Sequence, residues 1–219
     1  MTNQFMEGID VSSNQGQVDW PTVKRAGKAF AFARATVGGH QLDSQFTTNW
    51  QRMRDAGIIR GAYHFFWPST PWQDQVDLFT KTVGTLHPGD LPPALDLEEA
   101  MSKGDISKHD TWQDVGIDQR ISVVQNWLDA VQQAVGLRPI IYTRQNFIEP
   151  LLGAGITSLA TSELWIAHYK VVTPRTPSTW ASWTFWQYLD SGNVDGVHGN
   201  VDCNRFNGSQ EDLQNFTMT

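Results

Sequence analysis

The chain has 219 residues, of which 40% are hydrophobic and 18% are charged, a composition that predicts a packed globular core. Its formal net charge of −7 argues against nucleic acid as a partner, because phosphate binding requires a basic surface. The sequence contains no run of about 18 apolar residues, so no membrane-spanning helix is predicted. Cys203 is the single cysteine, which excludes a disulfide within the chain.

Short apolar segments alternate with amphipathic helical patterns along the chain. Apolar residues at helical spacing, bounded by capping residues and glycines, predict helices over residues 19–27, 44–56, 70–84, 117–136 and 144–152. Strands are predicted over residues 5–12, 29–36, 58–66, 93–98, 138–143, 164–169, 183–189 and 201–206. Irregular polar segments predict loops over residues 99–115, 171–182 and 190–200.

Eight predicted strands, with helices between the early ones only, favour a (β/α) barrel whose last third has lost its helices. An open doubly wound sheet is the alternative. The barrel is favoured because candidate acids fall at strand ends spread along the whole chain, whereas an open sheet gathers its site at one switch point. No internal repeat or domain boundary is visible, so we predict a single domain over residues 1–219.

The strand predicted over residues 93–98 carries two acids, Asp96 and Glu98, on one face. Leu95 and Leu97 point the other way, into hydrophobic packing. Two buried carboxyl groups side by side raise each other's pKa. One acid that stays protonated beside one that stays ionised is what the cleavage of a glycosidic bond requires.

Two further acids fall on the first and last predicted strands. Asp10 ends the first strand, and Asp202 lies in the last, so in a closed barrel they are neighbours. Asp96 and Glu98 lie across the barrel mouth from them. Four acids gathered at one end of a barrel are hard to explain as packing, because burying like charges is destabilising. We therefore interpret Asp10, Asp96, Glu98 and Asp202 as a candidate catalytic site.

Other chemistries fit the sequence less well. No metal-binding His or Cys motif is present, and His64 and His168 are interpreted as hydrogen-bonded wall residues. Cys203 follows Asp202 directly and faces the opposite side, so we interpret it as a buried, inert thiol. There is no Gly-x-Ser-x-Gly motif for a serine nucleophile. We predict no metal site and no cofactor.

Aromatic residues cluster at the ends of the middle and late strands. Because strand side chains alternate, about half of them face the acids and the rest pack outward. A cleft lined by acids and aromatic faces suits a neutral, polyhydroxylated polymer whose rings stack on the aromatics. The candidate substrate-binding residues among them are Tyr63, Phe65, Tyr142, Trp165 and Tyr188.

Eight motifs, in family order and spread over residues 6–207, resemble the lysozymes of glycoside hydrolase family 25. They are GIDVSSNQG at 8–16, FARAT at 32–36, GAYHF at 61–65, DLE at 96–98, IYT at 141–143, LWIAHY at 164–169, WQY at 186–188 and GNVDCNRF at 199–206. The family's usual Lys-Ala-Thr-Glu-Gly after the second strand is replaced here by Arg34-Ala35-Thr36-Val37-Gly38, which removes an acid near the rim.

The resemblance implies an irregular barrel of five β/α units plus three strands, a (β/α)5β3 barrel. It also implies N-acetylmuramidase activity, the hydrolysis of the β-1,4 bond between N-acetylmuramic acid and N-acetylglucosamine in peptidoglycan. Glu98 matches the family's proton donor, and Asp96 matches the partner that orients the substrate N-acetyl group or acts more directly. Asp10 and Asp202 match the other two acids, with Asp195 as a nearby alternative to Asp202. Gln187 matches a substrate-binding position.

The resemblance makes a muramidase the first expectation, with peptidoglycan strands as its partner and a monomer as its state. Two alternatives stay open: a non-catalytic glycan-binding barrel, and a glycosidase that acts on chitin-like polymers. We expect action on the cell wall, outside the cytoplasm. The first residues lack the basic and apolar regions of a secretory signal, so release by lysis, a holin or a dedicated secretion route is expected.

Overall fold

The computed structural model describes residues 5–101 and 109–219. Its strands are β1 (Met6–Val11), β2 (Phe30–Val37), β3 (Gln41–Leu42), β4 (Ile59–Phe65), β5 (Ala94–Leu97), β6 (Ile140–Arg144), β7 (Leu164–Ala167), β8 (Phe185–Gly192) and β9 (Val201–Phe206). Its α-helices are α1 (Trp20–Arg25), α2 (Phe46–Asp55), α3 (Trp72–Val83), α4 (Ile117–Val135), α5 (Gln145–Leu152) and α6 (Gln210–Asn215). In these ranges no helix is both long and apolar enough to cross a membrane.

Eight of the strands close into a barrel. The order is β1-β9-β8-β7-β6-β5-β4-β2, and β1 pairs with β2 to complete the circle, while β3 pairs only with the outer end of β2. Helices α1 to α5 each separate two successive barrel strands, but none lies between β7, β8 and β9. The predicted (β/α)5β3 barrel is therefore confirmed, and the alternative of an open sheet is wrong.

The direction of β9 differs from the expectation that the acids lie at carboxyl ends of strands. All other barrel strands run parallel to their neighbours, but β9 is antiparallel to both β1 and β8. Asp202 therefore lies near the start of its strand, not near the end. It still reaches the same end of the barrel as Asp10, because an antiparallel strand begins where its neighbours end.

Most predicted elements lie within a few residues of the observed ones, and the differences are local. Helix α6 and the two-residue strand β3 were not predicted. The loop predicted over residues 99–115 contains a short 3-10 helix, Thr111–Asp114, and its residues 102–108 lie outside the described part of the chain. Strand β8 extends to Gly192, into the segment predicted as a loop.

Strand alternation divides the hydrophobic residues into two cores. The outer core packs between sheet and helices and includes Leu95 and Leu97. The inner core fills the barrel with aromatic rings, among which Phe32 stacks on Trp165 with ring centroids 4.5 Å apart. The backbone of Gly61 makes room for these rings, since a Cβ atom there would lie 2.3 Å from Phe32 Cε1. The same alternation turns Asp96, which lies between these two leucines, and Glu98, which follows them, toward the interior.

A buried ion pair lies at the end of the barrel opposite the acids. Arg60, near the start of β4, donates to Asp90 at 2.7 Å and 3.1 Å, and both residues are 3% exposed. Arg60 also donates to the carbonyl of Trp50 at 2.6 Å and stacks on its ring. These contacts fasten α2 to the segment that precedes β5.

Candidate active site

A cavity of about 70 Å³ lies at the end of the barrel where β1 and β5 end and β9 begins. Seven barrel strands supply its lining, β2 being the exception, and Glu98 joins them from the position after β5. The lining residues are Asp10, Tyr63, Asp96, Glu98, Tyr142, Trp165, Gln187 and Asp202. Barrel closure thus gathers four acids, one amide and three aromatic side chains from distant parts of the chain.

A hydrogen-bond network holds Asp10 in place. Its Oδ2 accepts hydrogen bonds from Gln187 Nε2 and Asn204 Nδ2, both at 2.8 Å. Gln187 Oε1 in turn accepts from the hydroxyl groups of Tyr142 at 2.8 Å and Tyr169 at 2.5 Å. The amide of Gln187 is therefore oriented by two tyrosines, so its NH₂ group has to face Asp10.

Asp10 and Asp202 interact directly. They are opposite residues of the antiparallel β1–β9 pair, and their carboxyl groups share a hydrogen bond. Burial raises the pKa of Asp10 to about 6, although the hydrogen bonds from Asn204 and Gln187 oppose the shift. Burial, together with the charge of Asp10, raises the pKa of Asp202 to about 8. The Asp10/Asp202 pair thus keeps a proton at neutral pH.

Asp96 and Glu98 form the second pair of acids. Asp96 is 5% exposed, and its Oδ1 is buried without a hydrogen-bond partner among the described residues, whereas Glu98 is only half-buried. Burial is the largest cause that raises the pKa of each carboxyl group. The charges of Glu98 and Asp10 raise the pKa of Asp96 further, while Arg144 lowers the pKa of both pair members.

This electrostatic balance differs in one respect from the expectation. From the sequence alone, neighbouring carboxylates are expected to raise the pKa of Glu98 while Asp96 stays ionised. In the structure burial comes first, and it raises the pKa of Asp96 as well as that of Glu98. Two acids this close titrate as a unit, so the proton belongs to the Asp96/Glu98 pair. The arrangement provides a protonated acid and a carboxylate in one cavity.

The family model for "Glycosyl hydrolases family 25" matches residues 9–197. This range includes Asp10, Asp96 and Glu98, and Asp202 lies just after it. The chain belongs to glycosyl hydrolase family 25. Relatives of this family 25 hydrolase include lysozyme M1 of Streptomyces globisporus, which is 36% identical over 211 residues, 93% of this chain and 68% of that protein. The uncharacterized protein YegX of Escherichia coli O157:H7 is 37% identical over 217 residues, 96% of this chain and 73% of its own length.

Solved structures agree with this membership. The bacterial lysozyme from Streptomyces coelicolor superimposes with a TM-score of 0.91 at 34% identity, over 98% of this chain and 97% of that one. A family 25 glycosyl hydrolase from Bacillus anthracis gives a TM-score of 0.82 at 26% identity, over 100% of this chain and 96% of that one. The family 25 hydrolase is thus a glycoside hydrolase of the lysozyme and muramidase type.

The structure brings together most of the side chains predicted to bind substrate, but not all. Tyr63, Tyr142, Trp165 and Gln187 line the cavity of this family 25 hydrolase. Tyr188 does not, because it alternates with Gln187 along β8 and lies on the outer side of the barrel. There its hydroxyl donates to Glu7 at 2.7 Å, and the guanidinium group of Arg205 lies 4.3 Å from its ring.

Phe65 is also absent from the cavity lining. Phe65 instead packs beside Trp67 at 6.1 Å between ring centroids, against the outer core.

The remaining polar candidates lie away from the acids. His64 faces the outer layer, where it stacks on Trp127 and hydrogen-bonds to Thr36 and Gln75. Cys203 is buried in the outer core, and Asp195 is exposed in the turn before β9. Within the described ranges no group of three or more His, Cys, Asp or Glu residues is arranged to hold a metal ion.

Three polar residues near the acids are not among the candidate site residues predicted from the sequence. Asn204 shares its face of β9 with Asp202, a signal that the i, i+2 spacing carries. Tyr169 follows β7 in a segment without regular structure, and Arg144 ends β6. Neither position follows a local pattern, because both reach the site only through the closure of the barrel.

Proposed function

We propose that this hydrolase cleaves the β-1,4 bond between N-acetylmuramic acid and N-acetylglucosamine in peptidoglycan, with Glu98 as the general acid. The observation that carries the proposal is the burial of four carboxyl groups in one cavity, which raises the pKa of each. A site of this kind keeps protons at neutral pH, and a general acid for glycoside cleavage needs one.

Glu98 is the member of its pair that is half-buried, while Asp96 is buried, so Glu98 is the acid that a glycosidic oxygen at the mouth can reach. It protonates the leaving oxygen as the bond to the anomeric carbon breaks. Arg144 opposes the effect of burial on the pKa of Glu98, which limits how firmly the proton is held. Burial and this cation together give an acid that is protonated but still able to donate.

The size of the cavity supports a role for Asp96 with the substrate N-acetyl group. About 70 Å³ is well below the roughly 300–1,000 Å³ of cavities that enclose a whole ligand. The sugar chain therefore lies across the mouth, and one small substituent enters. The unpartnered Oδ1 of Asp96 is an acceptor for the N–H of an acetamido group. In this way Asp96 orients the acetamido group and stabilises the positive charge that develops as the glycosidic bond breaks.

Asp10 and Asp202 act from the other side of the cavity. Their shared proton reduces the repulsion between the two carboxyl groups, and the remaining negative charge of this pair contributes, through Asp202, to the raised pKa of Glu98. In this proposal they hold a sugar hydroxyl and the attacking water. Because these roles depend on oriented oxygen atoms, the hydrogen bonds from Gln187 and Asn204 are part of the machinery.

Purified cell walls and mass spectrometry of the released fragments test the proposal. We expect new reducing ends on muramic acid with the wild type, and a rate at least about 100-fold lower with Glu98→Gln, since a general acid contributes on that scale. Asp195→Asn, at an exposed turn position, is the control and keeps the wild-type rate. Thermal unfolding verifies that each variant is folded.

Three results contradict the proposal, each in its own way. Reducing ends on N-acetylglucosamine indicate a glycosidase of the chitin-cleaving type. No new reducing ends with the wild type indicate a glycan-binding barrel without activity. Unchanged lysis by a folded Glu98→Gln variant removes Glu98 from the role of general acid.

A further inference from the structure

A second cavity, of about 220 Å³, adjoins the catalytic one. Its lining residues are Glu99, Arg144, Gln145, Asn146, Phe147, Ala167, His168 and Tyr169. Two of them connect the cavities: Tyr169 hydrogen-bonds to Gln187 of the catalytic cavity, and Glu99 directly follows Glu98. We refer to this second cavity as the side pocket.

Arg144 is the residue that distinguishes the side pocket. It ends β6, two positions after Tyr142 of the catalytic cavity. Its side chain is 40% exposed and forms an ion pair with Glu99, which is 37% exposed. Its Nε atom is buried and has no hydrogen-bond partner among the described residues. Part of the guanidinium group is thus exposed to solvent, while its buried Nε has hydrogen-bonding capacity that the described residues do not use.

The charges around the two cavities are strongly unequal. In the described part of the chain their linings hold five acids and a single Arg or Lys side chain, Arg144. The acids are Asp10, Asp96, Glu98, Glu99 and Asp202. A substrate that carries a carboxylate is repelled by these acids unless a cation stands next to its charge. Among the described lining residues, Arg144 is the one Arg or Lys side chain that supplies such a cation, and its planar group matches a carboxylate.

We propose that the side pocket binds a carboxylate on the lactyl substituent of the muramic acid residue next to the cleaved bond, with Arg144 as its anchor. Glu99 holds Arg144 in the free enzyme, and the substrate carboxylate competes with Glu99 for the guanidinium group. The carboxylate is either that of the lactyl group itself or one in the peptide attached to it. Phe147 and Tyr169 provide apolar and aromatic surface for the atoms around the charge.

This inference rests on the proposed muramidase function, and its test separates the two. Three soluble substrates are compared: glycan strands with peptides, strands from which an amidase has removed the peptides, and strands whose carboxylates are converted to methylamides. The measured quantity is kcat/KM for each charged substrate divided by kcat/KM for the methylamide strands. This ratio cancels any general effect of Arg144 on the acid Glu98.

Arg144→Gln is expected to lower the ratio about tenfold, the loss typical of one charge-assisted hydrogen-bonded pair. Arg144→Lys retains part of the ratio, because it keeps the charge without the planar geometry. Arg138→Gln is the matched control. Arg138 precedes β6 at the other end of the barrel and pairs with Asp129 on the surface, so this variant is expected to leave the ratio unchanged. A loss on strands without peptides identifies the lactyl carboxylate, and a loss confined to strands with peptides identifies the peptide.

Glu99→Gln provides a second and opposite test, because it removes the competing carboxylate while Arg144 stays. The ratio is expected to rise. An unchanged ratio in folded Arg144→Gln, or a ratio in Glu99→Gln that does not rise, overturns the inference while leaving the muramidase function intact. A wild type that produces no muramic acid reducing ends from any of the three substrates overturns the proposed function itself.

Discussion

Asp10 and Asp202 stand directly opposite each other on β1 and β9 and share one hydrogen bond between their carboxyl groups. Such a bond exists only while one of the two groups is protonated. Burial and the charge of Asp10 raise the pKa of Asp202 to about 8, so the pair keeps one proton through neutral pH. The site therefore stores a proton whose loss affects the stability of the fold.

Asp202→Asn is expected to weaken the pH dependence of stability above neutral pH. In the unfolded chain Asp202 is ionised near pH 7, whereas in the folded chain it keeps its proton until about pH 8. The folded state then binds more protons, so the free energy of unfolding falls as pH rises toward 8 and levels off above it. Asparagine does not titrate, yet it still donates a hydrogen bond to Asp10.

Urea unfolding at about pH 6.5 and about pH 9 measures this difference. Lower pH is avoided because burial lowers the pKa of His64 to about 4, so His64 reduces stability as pH falls below the usual histidine range. Asp195→Asn is the control, and it keeps the wild-type decrease. An equal decrease in the free energy of unfolding of Asp202→Asn and wild type contradicts the assignment of the proton to the Asp10/Asp202 pair.

Asp90→Asn is expected to destabilise the fold without impairing catalysis. The variant leaves Arg60 buried and without its counter-charge, and the loss of one partner of a buried ion pair costs about 3–5 kcal/mol. The pair lies at the barrel end opposite the acids, so kcat per folded molecule stays at the wild-type value.

Denaturant unfolding together with an activity assay at low temperature checks both parts of this expectation. The matched control is Arg54→Gln, because Arg54 also pairs with Asp90 but at 3.5 Å and with a side chain that is 42% exposed. Its cost is expected to be below about 1 kcal/mol. If Asp90→Asn and Arg54→Gln lose similar amounts of unfolding free energy, burial of the Arg60–Asp90 pair is not the cause of the loss.

Gly61→Ala is expected to reduce both stability and activity. The new methyl group lies 2.3 Å from Phe32 Cε1, and the ring has little freedom because it is buried against Trp165 and Phe185. Overpacking of this kind costs about 1–3 kcal/mol. Activity is expected to fall as well, since a displaced Phe32 moves Trp165, which lines the cavity that holds the four acids.

Calorimetry and kcat measured on the same preparation check this prediction. Gly116→Ala serves as the control, because its methyl group meets only Gln119, at 3.9 Å. Its cost is expected to be below about 1 kcal/mol, with kcat unchanged. Wild-type kcat in Gly61→Ala shows that the inner aromatic core is not coupled to the site.

Much of the fold follows from local patterns that are visible in the sequence. Helix α3, at Trp72–Val83, lies within the segment predicted from apolar spacing, and the barrel strands occur in the predicted order. Asp96 and Glu98 share a face because strand side chains alternate, which is a property of the backbone alone. Local geometry was sufficient for these features, since each depends on a few consecutive residues.

Other features depend on contacts between distant segments. The antiparallel direction of β9 makes Asp202 the direct partner of Asp10, and no pattern within residues 201–206 reveals that direction. Phe65 pairs with Asp96 across β4 and β5, yet its side chain does not line the cavity. Arg144 enters the electrostatics of Glu98 only because β6 lies beside β5 in the closed barrel.

The barrel class, the family and the four acids could be predicted from the sequence, because alternation, helical spacing and short motifs are local properties of the chain. The depth at which each acid is buried, and the groups that bond to it, depend on the folded barrel. Burial is the largest cause of the pKa shift of every one of these acids, and it arises from all the elements that enclose the cavity. The chemistry of Asp10, Asp96, Glu98 and Asp202 is therefore a property of the closed barrel.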